Sequence, residues 1–271
     1  MRSHIAFIGG GNMASAIIHG LVGQGFPHEH IRVVEPFGQA RDQLAQQFGI
    51  TAHAQAGAFL DSAELVVWAV KPQTFQDAAR QCQPHTRKAL HLSVAAGIPS
   101  QSIARWLGSE RIVRAMPNTP ALIGKGITAF YARAAVHQHD RQQVEEVMRS
   151  TGETLWVEAE EQLDAVTAVS GSGPAYVFYF MEAMMAAGTA MGLTAAQARQ
   201  LTLATFTGAS ELARASQDPP EMLRQRVTSK GGTTFAAISA MDEAGMQAAF
   251  TRALHAARDR ARSMGQEFGA L

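Results

Sequence analysis

FIGGGNMASA, residues 7–16, is the stretch on which the fold turns. It follows the apolar run HIA, opens into a segment of helical texture, and sets Gly9, Gly11 and Ala14 in the spacing G-x-G-x-x-A. Each small residue has a mechanical use in a strand–turn–helix unit. Gly9 permits the tight turn, Gly11 lets a pyrophosphate approach the backbone, and Ala14 lets the helix lie close on the strand. Glycine-rich turns also arise for structural reasons alone, so the motif takes its weight from the alternation of elements behind it. To about residue 130, short apolar runs alternate with amphipathic ones: a helix over 12–24, IRVVE, a helix near 38–48, ELVVWAV, KALHLSV, the helical SQSIARWLG, and RIVRAM. This alternation predicts crossover connections and a parallel sheet with helices on both faces, an α/β fold of the Rossmann-type doubly wound class. The strands lack period-two patterning, as expected when both faces are buried.

Beyond GITAFYA the texture changes. A helix over 138–150 and the short ETLWVE close a first domain, and from EEQLDAVTAVSG onward the chain reads as helices rich in Ala, Met and Leu. The domains expected are therefore 1–159, binding a dinucleotide, and 160–271, all-helical, with a break between helices at QDPP. The segment 174–191 is apolar nearly all round, so its surface must be covered on most sides, and a second subunit is expected to help. AYVFYFMEAMMAAGTAMGL is the most membrane-like stretch, yet Glu182 interrupts it. It reads as a buried helix with Glu182 hydrogen-bonded in a subunit contact.

Bulk properties narrow the partner. The 271 residues carry 23 basic and 23 acidic side chains with no run of Lys or Arg, which excludes the electrostatic footprint of a nucleic-acid or membrane-surface binder. A small molecule is the expected partner. The single cysteine, Cys82, excludes an internal disulfide and a thiolate metal cluster, and suits the cytoplasm. The opening MRSH runs straight into a strand without a signal-peptide pattern, and no metal site is expected.

The ends of the predicted strands supply the candidate site. Glu35, closing IRVVE, stands where a carboxylate hydrogen-bonds the adenosine ribose and would repel a 2′-phosphate, a charge that Arg32 or Arg41 could compensate. It is equally a solvated strand end before Pro36. Lys71 and Pro72 of AVKPQ face the ligand crevice, and the small residues of SVAAGIP leave room for a nicotinamide. Asn118 lies between two prolines in MPNTP, as a turn residue or a crevice group. Far along the chain, VTSKGGTT joins hydroxyls to paired glycines before a helix. That is either a capped turn or a cradle for an anion on the helix N-terminus.

Taken in order, FIGGGNMA, AVKPQ, SVAAGIP, MPNTPAL, DAVTAVSGSGPAY and VTSKGGTT resemble the pyrroline-5-carboxylate reductases over essentially the whole chain. The resemblance implies reduction of 1-pyrroline-5-carboxylate to L-proline, the last step of proline biosynthesis, with NADPH or NADH. It also implies a helical domain through which subunits form a homodimer, assembling further into a decamer. By the same resemblance Ile8, Gly9, Gly10, Gly11, Asn12 and Met13 hold the pyrophosphate. Ala69, Val70, Lys71 and Pro72 take the adenosine side, and Val94, Ala95 and Ala96 the nicotinamide side. Asn118 lies by both nicotinamide and substrate, and Ser229, Gly231, Gly232, Thr233 and Thr234 line the substrate pocket. Two positions depart from the family. Glu35 stands where NADPH-preferring members tend to carry a small polar residue followed by Arg, and Ala56 where some carry an Asn near adenine.

Physically, the 229–234 corner would receive the substrate carboxylate on amides and hydroxyls, and Thr234 is the catalytic candidate, hydrogen-bonding the ring nitrogen. Thr234 as an ordinary first-turn hydroxyl is the competing reading. An imine that arrives protonated needs no dedicated proton-transfer pair, and none of the 10 histidines falls in a motif. The rival enzyme class, dehydrogenases of 3-hydroxy acids, relies on a helical lysine. Here the second domain holds only Lys230, in a loop. A non-enzymatic metabolite sensor on the same fold is the other rival.

Overall fold

The structure, a computed structural model, describes residues 4–269; Met1–Ser3, and with them most of MRSH, lie outside the described residues. The chain divides into two compact units, one running to Ser172 and resuming at Ala257, the other spanning Gly173–Ala256.

In the first unit, strands β1 (His4–Ile8), β2 (Ile31–Val34), β3 (Ala52–His53), β4 (Ala63–Trp68), β5 (Leu90–Ser93), β6 (Ile112–Met116), β7 (Gly126–Ala132) and β8 (Gly152–Trp156) form one sheet in the order β3-β2-β1-β4-β5-β6-β7-β8. The connecting helices are α1 (Asn12–Gly23), α2 (Gly38–Phe48), α3 (Pro72–Thr86), α4 (Ser100–Leu107) and α5 (Gln138–Arg149), followed by the short α6 (Gln162–Val166). The first six strands run parallel in the doubly wound order. The all-parallel expectation fails at one pair: β7 lies antiparallel to β6, and β8 then pairs parallel with β7. The reason is length. Residues 117–125 between β6 and β7 hold only a 3-10 turn, Thr119–Ile123, too short for the dozen or so residues of a parallel crossover.

Both faces of the sheet are packed. On β1, Ile5 and Phe7 enter a core with Ile17, Leu21, Leu65 and Val144. Ala6 and Ile8 point the other way, into a core with Trp68, Phe75, Cys82, Ile103 and Leu107. Alternate residues thus meet apolar layers on either side, which is why no polar–apolar alternation marks these strands. Burial pushes the Cys82 thiol up to about 12, so it is a packing residue rather than a nucleophile.

The packing boundary at 172/173 lies beyond the 159/160 boundary expected from the sequence. α6 packs against β7, and in the π-turn Thr167–Gly171 that continues it a methyl on Gly171 would collide with the Met116 side chain. The first unit also recovers the end of the chain. A Cβ on Gly97 would lie 3.0 Å from that of Met264, and Ser102 Oγ donates to the Gly269 carbonyl at 2.8 Å.

The second unit holds α7 (Gly173–Ala190), α8 (Ala195–Ala215), α9 (Pro220–Arg226), α10 (Thr233–Glu243) and the first part of α11 (Met246–Gly269). Gly188 lets α7 meet α8 closely, its missing Cβ 3.2 Å from that of Ala198, and Thr194 with Gln197 forms a capping box on α8. Within one chain α7 leaves Val177, Phe178, Tyr179 and Met184 exposed, and Glu182, expected to be buried, is also exposed. Among the described residues no helix is long and apolar enough to cross a membrane.

His91 on β5 lies in the core, fully buried, its Nδ1 accepting from Trp68 Nε1 at 3.2 Å. Burial, with Arg111 nearby, holds its pKa down at about 3 against 6.5 for an unperturbed imidazole. The unfolded chain therefore binds a proton that the folded one refuses, and stability drains as pH falls from about 6.5 toward 3, by up to ~1.4 kcal/mol per pH unit. His91→Gln, which keeps an acceptor for Trp68, should flatten this slope. Urea midpoints at pH 7, 6 and 5, at fixed protein concentration, test it: wild type and variant should diverge as pH falls.

Candidate active site

The carboxyl ends of β1, β2, β4, β5 and β6 bring the first-unit candidates onto one edge of the sheet. At the centre is the turn after β1. Gly9 has φ +95°, and a Cβ there would sit 2.6 Å from the Ala69 carbonyl oxygen, so the β1 turn lies flush against the end of β4. Main-chain bonds fix it from both sides, Gly9 N–H to the Val34 carbonyl and Ala69 N–H to that of Ile8, each at 2.8 Å. Gly10 is equally confined, a Cβ there falling 2.8 Å from Leu44 Cδ1, and its N–H donates to Glu35 Oε2 at 2.7 Å. Gly11 differs: nothing stands within 4 Å of its Cβ position. The Gly9 and Gly10 amides are therefore taken by β2 and Glu35, while Gly11, Asn12 and Met13 sit at the start of α1, where helical amides lack intrahelical partners. This open cradle fits a dinucleotide pyrophosphate.

Glu35 has a second duty that its position in the sequence does not disclose. Only 6% exposed, it also accepts the Phe37 N–H through Oε1 at 2.9 Å, stapling the glycine turn to the end of β2. Ala69 and Val70 follow β4, Lys71 is the exposed cap residue of α3, and Pro72 opens that helix with the φ it prefers. Val94, Ala95 and Ala96 follow β5, with Ala95 N–H bonded to Ser93 Oγ at 3.3 Å. Asn118 follows β6; its Oδ1 accepts the Ile127 N–H at 3.0 Å, which ties the MPNTP loop to β7 and leaves the amide nitrogen as donor.

Glu160 carries no sequence motif that would single it out. It accepts from Ser100 N–H and Ser100 Oγ at 2.6 Å each and from Arg114 Nη1 at 2.7 Å, fixing the outgoing end of the 94–99 loop at the start of α4. Burial raises its carboxyl, but Arg114 and the Ser100 donors outweigh this and hold it below the ordinary range. Its partners are 60 and 46 positions away, so no local spacing announces them.

Ser229, Gly231, Gly232, Thr233 and Thr234 lie in the second unit. Gly231 has φ +76°, and Gly232 is the cap residue of α10 with no side-chain bond onto the helix. A Cβ on Gly232 would fall 2.7 Å from Ser229 Oγ, so the pair of glycines keeps that hydroxyl beside the helix start. Thr234 is half-buried in the first turn, and Ser229 and Thr233 are exposed. Among the described residues no group of His, Cys, Asp and Glu could hold a metal.

Residues 160–264 match the family model described as pyrroline-5-carboxylate reductase dimerisation, and residues 4–97 one described as NADP oxidoreductase coenzyme F420-dependent. A pyrroline-5-carboxylate reductase of Pseudomonas aeruginosa is 42% identical over 267 residues, 98% of each chain. The chain belongs to the pyrroline-5-carboxylate reductase family. The Haemophilus influenzae reductase is 39% identical over 96% of this chain and 97% of its own. Among solved structures, the Coxiella burnetii reductase superposes with a TM-score of 0.90 at 36% identity, covering 97% of this chain and 99% of that one. The Plasmodium falciparum pyrroline carboxylate reductase, solved with NADP bound, gives 0.87 at 27%, covering 97% and 98%.

Two glycines of this reductase should fail differently. Gly9→Ala must relieve both a strained φ and a clash with the Ala69 carbonyl, and should cost at least ~2 kcal/mol of stability. Gly11→Ala should melt within about 2 °C of wild type, a shift of no more than about 1 kcal/mol. It should nevertheless weaken NADPH binding at least roughly tenfold, about 1.4 kcal/mol. Thermal melts with nucleotide titration by intrinsic fluorescence separate the two.

Proposed function

We propose that the chain catalyses reduction of 1-pyrroline-5-carboxylate to L-proline by NAD(P)H, the last step of proline biosynthesis. The observation that carries this reading is that a member of this family holds two open helix starts, one in each unit, at 11–13 and at 233–234. The first suits a pyrophosphate and the second a small carboxylate.

Bound NAD(P)H supplies the hydride. The chain holds and orients. Gly11, Asn12 and Met13 present amides to the pyrophosphate, the small Ala95 and Ala96 leave room beside the nicotinamide, and the Asn118 amide nitrogen donates beside it. Ser229, Gly231, Gly232 and Thr233 receive the substrate carboxylate, and Thr234 hydrogen-bonds the ring nitrogen so that the imine carbon is presented to the hydride. Because a protonated imine becomes a neutral amine on hydride addition, positioning in a site short of water supplies most of the acceleration. The uncovered apolar face of α7 supports a homodimer built through 160–271, and a decamer of five such dimers is the assembly we favour. A lone buried cysteine is in keeping with a cytoplasmic location.

Thr234→Ala should lower kcat/KM for pyrroline-5-carboxylate ten- to a hundredfold, about 1.4–2.8 kcal/mol, with the Kd of NAD(P)H changed less than twofold. Unchanged kinetics would remove Thr234 from the mechanism. A wild-type protein that oxidises NADH and NADPH with a 3-oxo acid but not with pyrroline-5-carboxylate would overturn the reading itself.

For the assembly, Phe178→Arg places a charge on the exposed face of α7. Sedimentation velocity should then show a smaller species than wild type, with the first unit still binding NADPH.

A further inference from the structure

Glu35 at the end of β2 would ordinarily mark a site for NADH, because a carboxylate there repels a 2′-phosphate. The structure disposes the charges otherwise. The Glu35 carboxylate is turned under the glycine turn, 6% exposed, each oxygen accepting a main-chain N–H, from Gly10 and from Phe37. Beside it, Arg41 in the first turn of α2 donates from Nη1 to the carbonyls of Glu35 at 3.0 Å and Pro36 at 2.7 Å. A guanidinium carries five N–H donors, so this anchorage uses one nitrogen and leaves the other edge of the fork for a bidentate oxyanion. Arg32, the other candidate, is committed at the opposite end of the strand, donating to the carbonyls of Glu29 and Ile31. Phe37, 73% exposed, stands beside Arg41 at the carboxyl end of β2, where the adenosine ribose of a dinucleotide lies in this strand order.

We propose that Arg41 is the specificity-determining residue for the cofactor: its guanidinium receives a 2′-phosphate, so the protein takes NADPH although residue 35 is acidic. Glu35 then acts as the staple of the turn rather than as the filter against the phosphate. This rests on the nucleotide-binding reading of the first unit. It adds a discrimination that sequence position alone assigns the other way.

The test is binding, not turnover. Titrate wild type, Arg41→Ala, Arg41→Lys and Glu35→Gln with NADPH and NADH, following nucleotide fluorescence, and with 2′,5′-ADP and 5′-ADP as competitors, at two salt concentrations. Arg41→Ala should raise the Kd of NADPH at least tenfold and abolish the advantage of 2′,5′-ADP over 5′-ADP, leaving the Kd of NADH within twofold. Arg41→Lys should fall between, losing the fork but keeping the charge. The wild-type preference for NADPH should weaken at the higher salt. Should Arg41→Ala melt far below wild type, Arg41→Gln takes its place under the same criteria. Equal losses for both nucleotides, or an unchanged Kd for NADPH, would overturn the assignment. So would a tenfold gain in NADPH binding by Glu35→Gln with Arg41→Ala inert, since the carboxylate would then be the filter. A wild-type chain that binds neither nucleotide would instead strike the nucleotide-binding reading, and this assignment with it.

Discussion

The turn between β1 and α1 can exist only because three strands converge on it without side chains in the way. Gly9 faces the carbonyl that ends β4, Gly10 faces Leu44 and Glu35, and the amides of both are spent on the end of β2. Once those contacts are made, α1 has no choice of direction. Its first free amides point where the strand ends open, and the sheet supplies the rest of the crevice through the loops after β4, β5 and β6. The position of every first-unit site residue depends on this one close approach, since each lies at or just beyond the end of a strand that the sheet ladder ties back to β1.

Much of this was legible in the sequence, for physical reasons. The helices over 12–23 and 38–48 and five of the six parallel strands announce themselves by apolar runs bounded by glycine, proline and polar residues, whereas the two-residue β3 has no such run, and burial on both faces explains the missing alternation. The antiparallel β7 was legible in principle as well, from a connection too short for a crossover, a test of loop length rather than of composition. What composition could not disclose were bonds between distant residues. Glu35 folding back on Gly10, Arg41 on the carbonyls of 35 and 36, Asn118 on Ile127, and Glu160 joining α4 to β6 are tertiary choices among several donors or acceptors. The sequence placed most of these residues at the ends of strands but not the direction in which each one reaches.

The helical unit shows the complementary case. Its helices were legible, yet a helix apolar on all sides has no amphipathic stripe to say which neighbour covers it. α7 accordingly meets α8 closely at Gly188, packs Tyr176 and Phe180 against Phe250 of α11, and presents Val177, Phe178, Tyr179 and Met184 outward. Glu182 belongs to the same question: expected to be buried, it lies exposed on this helix.

The path of the chain has a consequence for its synthesis. Residues 173–256 interrupt the first unit, whose last strip, from Ala257, packs on the 97–105 segment. A ribosome therefore emits the entire nucleotide fold and then the entire helical insert before the strip that finishes the former appears. The early fold must wait with its 97–105 surface uncovered, and this seam closes only once the strip from Ala257 has emerged. Completion of the first unit is thereby tied to the emergence of this strip, and a nascent chain stalled before Ala257 carries a nucleotide fold that is formed but unsealed.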